Sequence, residues 1–150
     1  MNYDFMNWLA ANGLTQLFTT NAGDTLYVNL EKNLGVLHKY GEFGAQSFFL
    51  SDIIEFRTFD DEHLVSEWNC MMSWRVLQRA TSHSTNEMYI NVRMRNQLML
   101  RIQIFKGVNG NIDRSSNDHW YMFNYACQLS QKLYESIRAC QKGPVLPSYM

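Results

Sequence analysis

The stretch MYINVRMRNQLMLRIQIF, residues 88–105, decides how this chain folds. At a period of two, Ile90, Val92 and Met94 share one side, while Tyr89, Asn91, Arg93 and Arg95 share the other. After Asn96 and Gln97, the apolar side continues through Leu98, Leu100, Ile102 and Ile104. Arg101 and Gln103 stand opposite, with Met99 and Phe105. Alternation of this length, rich in β-branched and large apolar residues, reads as two antiparallel strands joined by a turn. One face must bury against a core and the other meets water.

Downstream of this hairpin, residues 106–117 form a polar connection containing Gly107 and Gly110. A long helix is expected over residues 117–140, with an apolar stripe of Trp120, Phe123, Cys127, Leu133, Tyr134 and Ile137. Ser115 and Asp118 have the spacing of a capping box, and Gly143 with Pro144 stops the helix. Upstream, TLYVNL (25–30) and LGVLHKY (34–40) read as a hairpin, SFFLSDIIEFRTF (47–59) as one strand, and HLVSEW (63–68) as its partner across the acidic turn Asp60, Asp61 and Glu62. Residues 70–81 fit a strand or a helix; the strand is preferred because the surrounding pattern is β. Residues 3–19 read as an amphipathic helix, with Phe5, Trp8, Leu9, Leu17 and Phe18 near one face and Asn12 and Gly13 weakening its middle.

The chain of 150 residues is expected to be a single domain, with the N-terminal helix over 3–19, a barrel over about 24–106 and the C-terminal helix over about 117–140. Hydrophobic residues at 46% and charged residues at 18% exclude global disorder. Residues 1–70 carry three basic side chains against ten acids (3 − 10 = −7), and residues 71–150 carry ten against four (10 − 4 = +6). That asymmetry marks either a binding face or two sheets that neutralise each other within one domain. Cys127 and Cys140 are separated by 140 − 127 = 13 helical positions, roughly 20 Å, which is beyond disulfide reach. Three cysteines without framework spacing point to a reduced, cytoplasmic setting. No window reaches the length of a membrane span, and no signal peptide is read at the N-terminus.

Seven short strands must be mostly antiparallel, because parallel pairs need long crossovers. The order helix, seven strands, long helix is that of an α+β fold, an antiparallel seven-stranded pleckstrin-homology-like (PH-like) barrel or sandwich with an N-terminal helix and a long C-terminal capping helix. In detail the chain resembles a group of bacterial domains of unknown function with that fold. The likeness rests on the hairpin LYVNLEKNLGVLHK, the step Ser51, Asp52, Ile53, Ile54, the acidic turn at 60–62, the paired strands at 88–106 and the helix at 117–140. It spans about residues 24–140 and departs at 70–81, where a glycine-rich turn is expected. The resemblance implies the fold and brings no activity with it.

No nucleophile elbow, phosphate loop or zinc spacing occurs, and His38, His63, His83 and His119 lie in four different elements. The run from Asn109 to Asp113 mimics the start of a calcium loop, but the acid required eleven positions on falls at Trp120. Cys70, beside Met71 and Met72, reads as an inert thiol in apolar surroundings, and the acidic turn reads as solvated. No catalytic residue, cofactor or metal is expected. The candidate binding residues are Arg75, Arg79, Tyr89, Arg93, Arg95 and Arg101, placed together on the outer face of one sheet if residues 73–80 form a strand. Such a face suits phosphate, acidic peptide or single-stranded nucleic acid. Alternatively it is a solvated face whose arginines pair with nearby acids at little gain each. The chain is therefore expected to be a non-catalytic intracellular interaction module. It would bind a protein or peptide partner, or a second copy, through the arginine face or the aromatic N-terminal helix. A phosphate-directed binder of single-stranded nucleic acid or lipid headgroups is the alternative.

Overall fold

The computed structural model of the protein describes residues 3–108 and 110–141. Helix α1 (Tyr3–Ala11) is followed by β1 (Thr15–Thr19), β2 (Thr25–Asn29), β3 (Leu34–His38) and β4 (Gln46–Phe49). Then come β5 (Ile53–Asp60), β6 (His63–Asn69), β7 (Met72–Val76), β8 (Ser84–Thr85), β9 (Glu87–Met94), β10 (Met99–Lys106), β11 (Ile112–Asp113) and helix α2 (Asn117–Gln141). The architecture is α+β with antiparallel sheets, one helix at each end of the described chain.

Where a seven-stranded barrel was expected, eleven strands form three sheets among the described residues, and the sheets do not close into a barrel. The orders are β1-β2-β3-β4, β10-β9-β5-β6-β7 and β11-β8. Each difference has a local cause. The helix expected over 3–19 ends early, because Gly13 takes a left-handed conformation (φ 65°) and Leu14 N–H turns back to Leu9 C=O at 2.9 Å. Residues beyond it are then free to pair with β2 as β1. The strand expected over 47–59 is cut by one 3-10 turn, Leu50–Asp52. The cause is Asn33, whose amide accepts from Ser51 N–H at 2.8 Å and donates to Ser51 Oγ at 2.6 Å. That clamp anchors Leu50 in the core and sends the chain from the first sheet to the second. The pair β8 and β11 lies in segments that read as polar loops.

The central strands of the first sheet, β2 and β3, are buried on both faces. Leu26, Val28 and Leu37 join the main core, while Tyr27 and Val36 meet Leu9 and Leu14 beneath α1. That explains why Leu26, Tyr27 and Val28 of β2 are apolar in succession rather than at alternate positions. The 88–105 hairpin forms as read, with Ile90, Val92, Met94, Ile102 and Ile104 inward. Helix α2 completes the core with Ala126, Leu129, Leu133 and Ile137, a one-sided stripe at helical spacing. Trp120, expected in that stripe, is half-exposed, and small residues such as Ala126, Ser130 and Ser136 face inward instead. The cap falls one residue later than the spacing suggests: His119 N–H donates to Ser116 Oγ at 3.2 Å. The helix stop at Gly143 and Pro144, the tail after it and Asn109 lie outside the described residues.

One buried carboxylate joins the two large sheets. Asp24, in the turn after β1, accepts from Gln103 N–H at 2.8 Å, Tyr40 N–H at 2.9 Å and Lys39 Nζ at 2.6 Å. Lys39 also donates to Arg101 C=O at 2.6 Å. The base of the loop after β3 is thereby tied to β10.

Candidate functional site

Antiparallel register dictates what the outer face of the five-stranded sheet carries. Arg75, Glu67, Arg57, Asn91 and Arg101 form one row across all five strands. Glu55 and Arg93 form the next, and Phe59, Tyr89 and Gln103 a third. Three of the six expected arginine and tyrosine positions, Arg93, Arg101 and Tyr89, thus lie close together, and Arg75 lies at the far edge.

The arginines on this face are mixed with acids. Arg75 bonds Glu67 through Nε at 2.8 Å and through Nη2, Arg93 reaches Glu55 at 3.4 Å, and Arg57 lies 3.8 Å from Glu55 and 3.7 Å from Glu67. The Arg101 guanidinium stacks 3.8 Å above the Tyr89 ring centroid and lies 4.0 Å from Glu87. Half-exposed pairs of this sort are worth about 0–1 kcal/mol each. Arg95 sits in the exposed β9–β10 turn, outside both strands.

Arg79 is elsewhere, against a buried cluster that no periodicity or motif announces. Arg114, Asp60 and His119 are each no more than 1% exposed. Arg114 donates Nε to Thr85 Oγ1 at 3.1 Å, Nη1 to Ser82 C=O at 3.1 Å, and Nη2 to the Asp60 backbone C=O and Oδ1 at 3.2 Å each. Thr85 Oγ1 donates to Asp60 Oδ1 at 2.5 Å. Arg79 Nη1 lies 2.9 Å from His119 Nδ1, and His119 Nε2 lies 2.7 Å from Asp60 Oδ2. Because guanidinium only donates, Nδ1 must accept and Nε2 must carry the proton given to Asp60. An Asp–His–Thr grouping has the parts of a general base, but a catalytic base must reach its substrate. Here all three side chains are closed off within the protein, so the cluster staples β5, the β8–β11 pair and α2 together. It also corrects the solvated reading of the acidic turn at Asp60, which is buried, and at Asp61, 15% exposed and 3.6 Å from Arg114, whereas Glu62 remains 71% exposed.

The aromatic surface lies on the other side of the first sheet. Phe5 of α1 stacks with Trp8 at 6.2 Å and meets the His38 ring at 5.4 Å between centroids. Beyond them the loop after β3 presents Tyr40, 77% exposed, and Phe43, 97% exposed. Phe5, His38, Tyr40, Glu42 and Phe43 line a cavity of about 590 Å³. The loop is held from below by Asp24 and from the side by His38 Nε2–H, donated to Glu42 C=O at 2.8 Å. Sequence periodicity showed Phe5 and Trp8, but Tyr40 read as the end of the strand over 34–40, which stops at His38. Phe43 stood in the glycine-containing loop after it with no pattern to single it out.

Among the described residues, no group of three or more His, Cys, Asp or Glu side chains is placed to hold a metal ion, and no helix is long and apolar enough to cross a membrane. Cys70 is exposed at the β6–β7 turn rather than in apolar surroundings, whereas burial pushes the Cys127 thiol up to about 11. Comparison of the chain with protein-family models, curated proteins and solved structures gave no match.

Proposed function

We propose that the chain is a non-catalytic interaction module that binds a protein or peptide partner through the aromatic surface of α1 and the loop at residues 39–44. The observation that carries this reading is Phe43. A phenylalanine 97% exposed, on a loop fixed at its base and beside an aromatic-lined cavity, has no packing role in the chain itself. Aromatic residues are enriched at the centres of protein interfaces, where a large ring supplies contact area with little loss of side-chain freedom. Fixing the loop through Asp24 and His38 lowers the ordering cost of binding further.

The outer arginine face supports a phosphate-directed reading less well, because Arg57, Arg75 and Arg93 already have carboxylates beside them. Three unpaired cysteines favour a reducing, cytoplasmic setting for the module.

The test is a displayed peptide library selected on the purified protein, with Phe43→Ser as the counter-screen. Phe43→Ser should leave the melting curve unchanged and abolish binding of the selected peptides. Selected peptides that bind the variant as well as the parent, or no selection at all, would overturn the reading.

A further inference from the structure

The two large sheets present unpaired edges to a common cleft between β4 and β10. Hydrogen-bonding phase follows from the turns. Leu50 N–H bonds Asn33 C=O at 3.0 Å, so Gln46 and Phe48 pair with β3 while Ser47 and Phe49 point their N–H groups away from it. Met94 N–H bonds Leu98 C=O at 3.0 Å, so Leu100 and Ile102 pair with β9 while Met99 and Arg101 point outward. Farther along β10 the outward groups have partners: Lys39 holds Arg101 C=O, and Asp24 holds Gln103 N–H. For the outward N–H groups of Ser47, Phe49, Met99 and Arg101, no partner exists among the described residues.

Two adjoining cavities, of about 310 and 360 Å³, follow these edges and meet at Gln46. Their apolar lining includes Phe48, Leu98 and Leu100, which pack against the core yet remain partly uncovered. Phe49 and Met99, 56% and 55% exposed, flank the seam on its outer side. Arg101 stands at one end of the cleft with Lys39, whose ammonium is held by Asp24 and faces Glu42. Asp52 lines the other end, so Arg101 is the cation left to meet an acidic side chain.

We propose that this seam takes up an extended segment of a protein partner as an added strand, with apolar side chains alternating with acidic ones. An extended backbone supplies carbonyls to the unpaired N–H groups, as in strand addition to other sheet edges. The period of two turns one set of its side chains onto the apolar lining and the other outward toward Arg101. The cleft shares Lys39, Glu42 and Gly44 with the loop at residues 39–44 but none of the aromatic side chains Phe5, Tyr40 and Phe43, so Phe43→Ser separates the two sites.

The probes are capped heptapeptides alternating Val with Glu, a scrambled order of the same composition, and a Val–Lys alternation. Affinity is read by titration, and location by amide shifts and exchange protection. The alternating Val–Glu peptide should bind best and protect the amides of Ser47, Phe49, Met99 and Arg101. Ser47→Pro removes one outward N–H while sparing the β3 ladder, and should weaken binding by about tenfold or more. Arg101→Glu, which leaves both edges intact, should reverse the preference toward Val–Lys, and Phe43→Ser should change neither result. Equal binding of the scrambled peptide, protection along β7 instead, or no binding in the panel would overturn the proposal. So would a concentration-dependent dimer lost in Ser47→Pro, which would assign the seam to a second copy.

Discussion

Replacing Arg114 by methionine tests the buried cluster most directly. The substitution keeps much of the side-chain volume but deletes four hydrogen bonds, to Thr85 Oγ1, Ser82 C=O, Asp60 C=O and Asp60 Oδ1. It leaves the Asp60 carboxylate, 1% exposed, facing only Thr85 and His119. Removing one partner of a buried ion pair costs about 3–5 kcal/mol, chiefly because the other charge remains out of water. Against a typical total stability of about 5–15 kcal/mol, that is enough to bring Arg114→Met near the unfolding threshold at ambient temperature. Urea unfolding followed by circular dichroism gives the loss from the shift in midpoint at constant slope. The double variant Asp60→Leu/Arg114→Met removes the stranded charge as well. It should lose less than the sum of its single variants by about 1–3 kcal/mol. A loss below about 1 kcal/mol in Arg114→Met, or strict additivity in the cycle, would refute the account of a closed ionic staple.

Gly13→Ala places a methyl 2.8 Å from Asn29 Nδ2 at a φ of 65°, and should lower stability by about 1–2 kcal/mol in a thermal melt. Gly35→Ala drives its methyl to within 2.5 Å of the Phe48 ring, and should cost about 1–3 kcal/mol while shifting the β4 amide signals. Cys127 favours its neutral form when folded, so its contribution to stability is present below an unfolded-state value of 9.0 and fades as pH rises toward about 11. Alkylation at pH 9 followed by mass spectrometry should therefore modify exposed Cys70 well before Cys127, with the difference abolished in urea. Asp113 is held below its ordinary value first by the Ser115 backbone N–H and then by the Ser115 hydroxyl. Its contribution is complete above the unfolded value of 3.8 and is lost as pH falls through the lower folded one, so Asp113→Ala should show a shallower loss of stability in strong acid.

What could be read from the sequence was what periodicity encodes. The alternation at 88–105 identified β9 and β10 and their inward faces, because one buried sheet face leaves a period-two imprint. The C-terminal helix was equally visible. The misreadings came where a single residue's geometry overrode the pattern. Gly13 divided an apparent helix, and the Asn33 side chain divided an apparent strand, and neither leaves a periodic trace. The candidate arginines show the same limit. Register brought Arg93 and Arg101 together with Tyr89, while Arg79 left the row because the chain beyond β7 passes under α2 to meet His119. Arg114 escaped notice because an arginine in a polar connection looks solvated until Asp60, fifty-four positions earlier, folds beneath it.

The position of α2 bears on how the chain acquires its structure during synthesis. Residues Ala126, Leu129, Leu133 and Ile137 cover Phe56, Trp68, Ile90 and Val92, but they are the last core residues to be made. At about 5–20 residues per second, β5 and β6 leave the ribosome several seconds before the helix that shields them. For that interval two strands bearing Phe56, Phe59 and Trp68 have no lid, and apolar surface exposed in this way is prone to aggregate. A chain interrupted before Asn117 would present the same uncovered sheet permanently, as a ready substrate for proteolytic clearance.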